Sequence, residues 1–151
     1  MGHNATPGFT KNGFANTSVL ALANAKSDGT GNLTSSVTIY KLLTADSTNG
    51  SYCDFARIMC VASAAATNTV ATVIRFYVST ITTGATTAAD TFLVAEVALP
   101  IISADSATLA QNQVDVPLGL RLAASQTLLV STHAAAASNT TWNVTLFGGD
   151  F

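Results

Sequence analysis

The chain has 151 residues, of which 48% are hydrophobic and only 9% are charged, with a formal net charge of −2. A typical soluble domain has about 25% charged residues, so this composition excludes charge-driven disorder and leaves too few cations to neutralise a row of phosphates. There is also no run of about 20 apolar residues that could form a transmembrane helix. We therefore expect one folded domain that binds neither nucleic acid nor membrane.

The first segment, residues 1–16, predicts an extended N-terminal arm. Pro7, Phe9 and Phe14 stand among Gly and Asn residues. This mixture is too irregular for a strand and too aromatic to remain in water. We expect the arm to reach a neighbouring subunit and these three residues to contact it. The N-terminus lacks the basic and apolar regions of a secretory signal, which predicts synthesis in a cytoplasm.

Residues 17–151 predict one β-sandwich domain. Segments rich in Val, Ile, Thr, Phe and Tyr alternate with clusters of Gly, Asn, Asp and Ser. The predicted strands are Thr17–Ala25, Leu33–Leu43, Tyr52–Ala62, Thr69–Thr80, Thr91–Leu99, Gln111–Val116, Gln126–His133 and Thr140–Phe147. No long helix is predicted, and the spacing is typical of an all-β, jelly-roll-like sandwich of about eight antiparallel strands.

Turn residues mark the ends of several predicted strands. Asp28-Gly29 and Asn49-Gly50 predict tight hairpin turns, because Gly, Asn and Asp tolerate positive φ. Pro100 follows the fifth strand, and Pro117 with Gly119 follows the sixth. Proline removes a donor from the hydrogen-bond ladder, so these residues predict that both strands end there.

Two strands indicate opposite kinds of surface. In the last strand Trp142, Val144 and Leu146 alternate with polar residues, which predicts one core face and one wet face. The fifth strand places Leu93, Ala95, Val97 and Leu99 on one face, opposite Glu96. However, Phe92 and Val94 share the face of Glu96, which is therefore too apolar for water. We expect Phe92 and Val94 to contact a partner.

The two cysteines, Cys53 and Cys60, lie seven residues apart within one predicted strand. An odd separation predicts opposite faces, and about 3.3 Å per residue places their Cα atoms roughly 23 Å apart. That separation is too long for a disulfide, so we predict two free, buried thiols. No nearby His or Cys supplies further ligands for a metal.

Residues for catalysis are scarce. The chain has two histidines, His3 and His133, and eight acids spread thinly. It contains no Gly-x-Ser-x-Gly elbow, no metal-binding motif and no phosphate-binding loop. We therefore predict a non-enzymatic protein with no cofactor and no metal. An enzyme would need a pocket that brings His133 to acids such as Asp54 or Asp115.

The C-terminal part resembles small virion proteins of tailed bacteriophages, of the capsid cement or decoration type. The resemblance rests on TVATVIRFY (69–77), FLVAEVALP (92–100), VPLGLRL (116–122), LLVSTH (128–133) and WNVTLFGGDF (142–151). It implies a jelly roll that binds the outer surface of the major capsid protein shell and stabilises it. It also implies a homotrimer, and location in a virion assembled in a bacterial cytoplasm.

A second interpretation is a phage tail, baseplate or carbohydrate-binding module. Exposed aromatic side chains near loop ends would favour it, and Tyr40, Tyr52, Tyr77 and Trp142 are the candidates. The pattern around Trp142 nevertheless predicts a core position for that side chain. The low charge itself predicts an oligomer, because soluble monomers usually keep about 25–35% of their surface residues charged.

Overall fold

The computed structural model describes residues 10–64, 67–104 and 113–151, which form strands joined by turns. The strands are β1 (Asn12–Leu20), β2 (Gly31–Asn32), β3 (Tyr40–Thr44), β4 (Ser51–Ala62), β5 (Thr67–Asn68), β6 (Thr72–Ser79), β7 (Ala85–Thr86), β8 (Thr91–Leu99), β9 (Ser103–Ala104), β10 (Gln113–Leu122), β11 (Thr127–Thr132) and β12 (Thr140–Asp150). Over the three described ranges there is no helix that could cross a membrane.

Eight of these strands form two four-stranded antiparallel sheets. Sheet A has the order β1-β12-β4-β10, and sheet B has the order β3-β11-β6-β8. The pairs β2–β7 and β5–β9 are short additions. Along the chain the eight long strands alternate between the sheets, except that β6 and β8 are neighbours in sheet B. This order is that of a jelly roll and confirms the predicted fold class.

The core lies between the inward faces of the two sheets. Its central side chains are Ala56, Ile58 and Cys60 of β4, Ile74 and Phe76 of β6, Leu128 and Val130 of β11, and Trp142, Val144 and Leu146 of β12. Each large apolar side chain buried in this way contributes about 1.5–3 kcal/mol. The alternation predicted for the last strand is confirmed, since Trp142, Val144 and Leu146 are all buried.

The outer face of sheet B carries a second, smaller core. Ile39, Tyr77 and Leu129 are fully buried there, and Leu33 packs against them. The Tyr77 hydroxyl lies 3.4 Å from the backbone oxygen of Lys26. The segment between β1 and β3 therefore covers this part of sheet B. One long strand, Leu33–Leu43, was predicted here, but the structure has β2, a loop and then β3, which begins at Tyr40.

A β-bulge at Asp54 corrects the prediction that the cysteines face opposite sides. Phe147 pairs with Phe55 and Gly148 pairs with Cys53, so Asp54 is an extra residue in β4. One extra residue reverses the alternation beyond it. Cys53 and Cys60 consequently both point into the core, and both are free thiols as predicted.

Neither thiol should react in the folded protein. Burial raises the pKa of Cys53 to about 12, and burial also raises that of Cys60. At pH 8 both groups are therefore protonated and shielded, whereas the thiolate is the reactive species. We expect no thiol to be titrated by a disulfide reagent under native conditions and two after denaturation. Rapid labelling of either cysteine without unfolding would contradict this packing.

The prediction of an arm up to residue 16 is wrong for its last part. Residues 12–16 belong to β1, which pairs with β12 from Asn12↔Asp150 to Leu20↔Trp142. Gly148 makes this possible, because a Cβ at that position would overlap the Phe14 ring. Phe14 thus packs against the core within a sheet. Residues 1–9, with Pro7 and Phe9, lie outside the described residues, so the remainder of the arm stays a prediction.

The sixth predicted strand does not end at Pro117. β10 continues to Leu122, with a shift in register between Pro117 and Leu120. β10 is an edge strand, where a missing N–H donor is tolerated, and Gly119 adopts a φ of 58° within the irregularity. Pro100 does end β8, as predicted.

The Gly turns occur as predicted, but they are not hairpins. Gly29 and Gly50 have φ values of 81° and 80°. Asn49-Gly50 joins β3 in sheet B to β4 in sheet A, so its flanking strands do not pair with each other. The Asp46 carboxylate accepts hydrogen bonds from the backbone N–H groups of Thr48 and Asn49 and so fixes this turn.

Candidate functional site

The free edge of β8 exposes three successive apolar side chains. Phe92, Leu93 and Val94 are 58%, 44% and 39% exposed. A bulge causes this exposure: Leu93 pairs with Tyr77 and Ala95 pairs with Phe76, which leaves Val94 without a partner in β6. The extra residue reverses the alternation, so two predictions are wrong: Leu93 does not share a face with Ala95, and Phe92, which pairs with Val78, does not share a face with Glu96, which pairs with Arg75.

Two more apolar side chains lie beyond the other end of β8. Val70 is 40% exposed and Ile101 is 63% exposed. They are neighbours, since the Thr69 N–H donates to the Ile102 oxygen at 2.9 Å. We call Phe92, Leu93, Val94, Val70 and Ile101 the edge strip. From Phe92 to Ile101 it extends about 30 Å at roughly 3.3 Å per residue.

The other three sheet edges expose fewer large apolar side chains. The exposed positions of β10 include Asp115, Pro117 and Arg121, and β3 exposes Lys41. The exposed side chains of β1 are small or polar, apart from Val19. Charge, proline and bulges on an edge discourage pairing with another chain, and β8 has one charge, Glu96, and one bulge beside its three exposed apolar side chains. Among the described strands, the edge of β8 is therefore the best suited to a contact.

An apolar pocket adjoins the end of β8. Its volume is about 200 Å³, and it lies between the two sheets. The lining residues are Ile58, Leu99, Pro100, Ile102, Val114 and Trp142. No lining residue is ionisable, so the pocket offers apolar packing and no acid–base chemistry.

The outer face of sheet A carries a cluster of two aromatic rings and an ion pair. The Arg57 guanidinium donates through Nε and a terminal nitrogen to the two Asp115 carboxylate oxygens, each at 2.8 Å. The Phe55 and Phe147 rings stack with centroids 4.7 Å apart, and Arg57 lies 5.8 Å from each centroid. This cluster could not be predicted, because its members are distant in sequence. The one feature of the sequence that could have indicated the cluster is Phe147, an aromatic residue on the otherwise polar face of the last strand.

This ion pair predicts a specific response to acid. The hydrogen bond from Arg57 lowers the pKa of Asp115 below its ordinary value of 3.8. A carboxyl with a lower pKa in the folded state stabilises the fold above its unfolded pKa, and this contribution is lost as pH falls through the folded value. We expect the unfolding temperature to decrease as the pH falls below about 4. In thermal melts from pH 6 to pH 2, the unfolding temperature of Asp115→Asn should decrease less steeply than that of the wild type. An identical slope would contradict this role.

Next to this cluster an open groove crosses sheet A. Its volume is about 670 Å³. The lining residues are Thr10, Gly13, Phe14, Ala15, Tyr52, Asp54, Phe147 and Gly148. We call this the outer groove. It combines aromatic rings, a carboxylate and glycine backbone, which is the composition of a site for a small polar ligand.

The predicted contact residues have different positions. Phe92 and Val94 lie exposed in the edge strip, whereas Phe14 is half-buried in β1. Sequence analysis did not select Leu93, Val70 or Ile101, since the bulge and the β5–β9 pairing that expose them have no local signal. Of the aromatic candidates for a binding module, Tyr77 and Trp142 are buried. The Tyr40 hydroxyl accepts a hydrogen bond from Leu22, and Tyr52 lines the outer groove.

The residues considered for catalysis are not brought together. Asp54 and Asp115 belong to β4 and β10 of sheet A, and Asp115 is paired with Arg57. His133 follows β11 of sheet B, where its N–H donates to the Val73 oxygen at 2.9 Å. Within the described ranges, no three His, Cys, Asp or Glu residues are grouped so that they could hold a metal ion.

The fold and these surfaces define a jelly-roll β-sandwich with an apolar strand edge and an aromatic groove. No protein-family model matches the chain, and no curated protein matches it.

Proposed function

We propose that this chain is a non-enzymatic structural protein of a virion, a cement or decoration protein that binds the outer surface of a capsid protein shell and stabilises it. The observation that carries the proposal is the edge strip on β8. Phe92, Leu93 and Val94 are exposed on β8, an edge strand whose outer side pairs with none of the described strands. Exposed apolar side chains are unfavourable in water, and a second chain that packs on them and pairs with the strand edge removes them from it.

A copy of the same chain is the first expected partner. Contacts between copies that close into a ring bury an apolar strip without open-ended growth. Three residues of the strip belong to β8 of sheet B, so each copy presents them in the same arrangement. The homotrimer is the closed form that the resemblance to phage cement proteins implies, and the shell then binds the assembled ring.

Attachment to the shell should depend weakly on salt. Only six residues of the chain are Lys or Arg. Two of these, Arg57 and Arg75, already pair with Asp115 and Glu96 of the same chain. Little long-range Coulomb attraction is left for salt to screen, so apolar and hydroxyl-rich contacts supply the binding energy.

Cosedimentation with purified phage particles tests the proposal. The recombinant chain is mixed with particles that lack it, at low and at high salt, and its oligomeric mass is measured by light scattering after size exclusion. We expect saturable binding to heads at both salt concentrations by an oligomer of the 15.4 kDa chain. Binding to isolated tails but not to heads would favour the tail or baseplate alternative. A monomer that binds neither would contradict a virion role.

A further inference from the structure

The outer groove of sheet A has the shape and the chemical groups of a binding site, and nothing in the assembly role uses it. We propose that this groove binds a neutral saccharide. The inference is independent of the proposed function, because the groove lies on sheet A whereas Phe92, Leu93 and Val94 of the edge strip belong to β8 of sheet B.

Small residues create the groove. Gly13 and Ala15 of β1 lie on one side, and the backbone of Gly148 contributes to the lining. Ala15 pairs with Phe147, and a methyl group is too small to cover an aromatic ring. Phe55 stacks on Phe147 with an interplanar angle of 15°. One face of the Phe147 ring is thus held by its neighbour, while the side towards Ala15 is open to a ligand.

The polar groups of the groove match the hydroxyl groups of a sugar. Asp54 is exposed at the bulge of β4. Its two carboxylate oxygens can accept hydrogen bonds from two adjacent hydroxyl groups of a sugar. The half-buried Tyr52 also lines the groove, although its hydroxyl lies beside Gly119 of β10. Neither side chain bonds to another described residue. A pyranose ring fits this combination, since its C–H faces pack on an aromatic ring and its edge carries hydroxyl groups.

Charge restricts the class of saccharide. Asp54 is the single ionisable acid among the lining residues, and none of them is Lys, Arg or His. An acidic sugar would bring a second negative charge to this carboxylate with no cation to compensate it. The lining therefore favours neutral hexoses and N-acetylhexosamines over sialic or uronic acids. The volume of about 670 Å³ lies in the range of roughly 300–1,000 Å³ that small-molecule sites occupy.

Binding of the full-length chain to an array of neutral and acidic oligosaccharides tests the proposal, followed by calorimetry with the best neutral ligand. Ala15→Trp fills the groove without removing a core contact, and we expect it to weaken binding at least roughly tenfold. Asp54→Asn should also weaken it about tenfold, because it replaces charge-assisted hydrogen bonds by neutral ones. Val19→Trp is the matched control, since Val19 is exposed on the same face of β1 and outside the groove, and its binding should equal that of the wild type.

Three results would overturn the proposal. The first is no binding of any neutral oligosaccharide up to millimolar concentration. The second is equal binding by Ala15→Trp and the wild type, which would place the ligand elsewhere. The third is a preference for acidic sugars. Thermal melts that match the wild type show that each variant is folded, and cosedimentation with phage particles reports separately on the assembly role.

Discussion

If copies of the chain assemble through the edge strip as proposed, Phe92→Asp should give a monomer of unchanged fold. Phe92 is 58% exposed in the single chain, so its replacement removes little intramolecular packing. In an assembly that covers the edge of β8, the substitution removes about 1.5–3 kcal/mol of apolar burial and places an unpaired carboxylate in the contact. The sum corresponds to association at least ~100-fold weaker. Light scattering after size exclusion at micromolar concentration measures the change.

Val19→Asp is the control for this experiment. Val19 is 49% exposed on β1, an edge strand of sheet A, so the change in surface polarity is similar. We expect Val19→Asp to keep the oligomeric mass of the wild type. If both variants dissociate, added charge alone is responsible, and if neither dissociates, the edge strip is not the contact.

Gly50→Ala should destabilise the fold by more than about 3 kcal/mol. Gly50 has a φ of 80°, where an L-residue with a side chain costs roughly 1–2 kcal/mol. A Cβ at this position would also overlap the backbone oxygen of Leu122, which cannot rotate away. The turn and the end of β10 would have to move apart, and this would weaken the packing at the start of β4. Urea unfolding with an unchanged m-value measures the loss.

Gly84→Ala separates the two causes. Gly84 has a φ of 83°, but a Cβ there would meet no atom within 4 Å. Only the conformational cost applies, so we expect a loss of about 1–2 kcal/mol. Equal losses for the two variants would show that steric overlap with Leu122 does not contribute at Gly50.

Much of the fold could be predicted because it depends on local alternation and turn chemistry. β12 is the clearest case, since Trp142, Val144 and Leu146 recur at every second position and all are buried. Gly50 was recognised as a turn residue for the same local reason. The partners of each strand could not be predicted, because a jelly roll pairs β1 with β12 and almost every connection crosses between the sheets.

The errors about which face a residue occupies share one physical origin, which is the β-bulge. A single extra residue at Asp54 brings both cysteines to the core face, and another at Val94 separates Leu93 from Ala95. Bulges have no sequence signature in these strands, so strict alternation gives the wrong face beyond them. The start of β1 was missed because Phe14 lies opposite Gly148 of β12, a pairing between residues distant in sequence.

The candidate surfaces were predicted only in part. The sequence predicted contact residues at Phe92 and Val94, and both are exposed, but the bulge places Phe92 on the face opposite Glu96. The outer groove is not visible, since it brings Ala15 beside Phe147 and Tyr52. These residues come from three strands, and the groove exists because some of its positions have almost no side chain.

A cryo-EM map of the phage particle that is proposed to carry this chain tests the central claim most directly. The proposal predicts copies of the sandwich on the outside of the shell, grouped around symmetry axes. It also predicts that Phe92, Leu93 and Val94 of each copy lie inside a contact with a neighbouring copy or with the shell. Copies bound with the edge of β8 facing solvent, or a shell without this protein, would contradict the account.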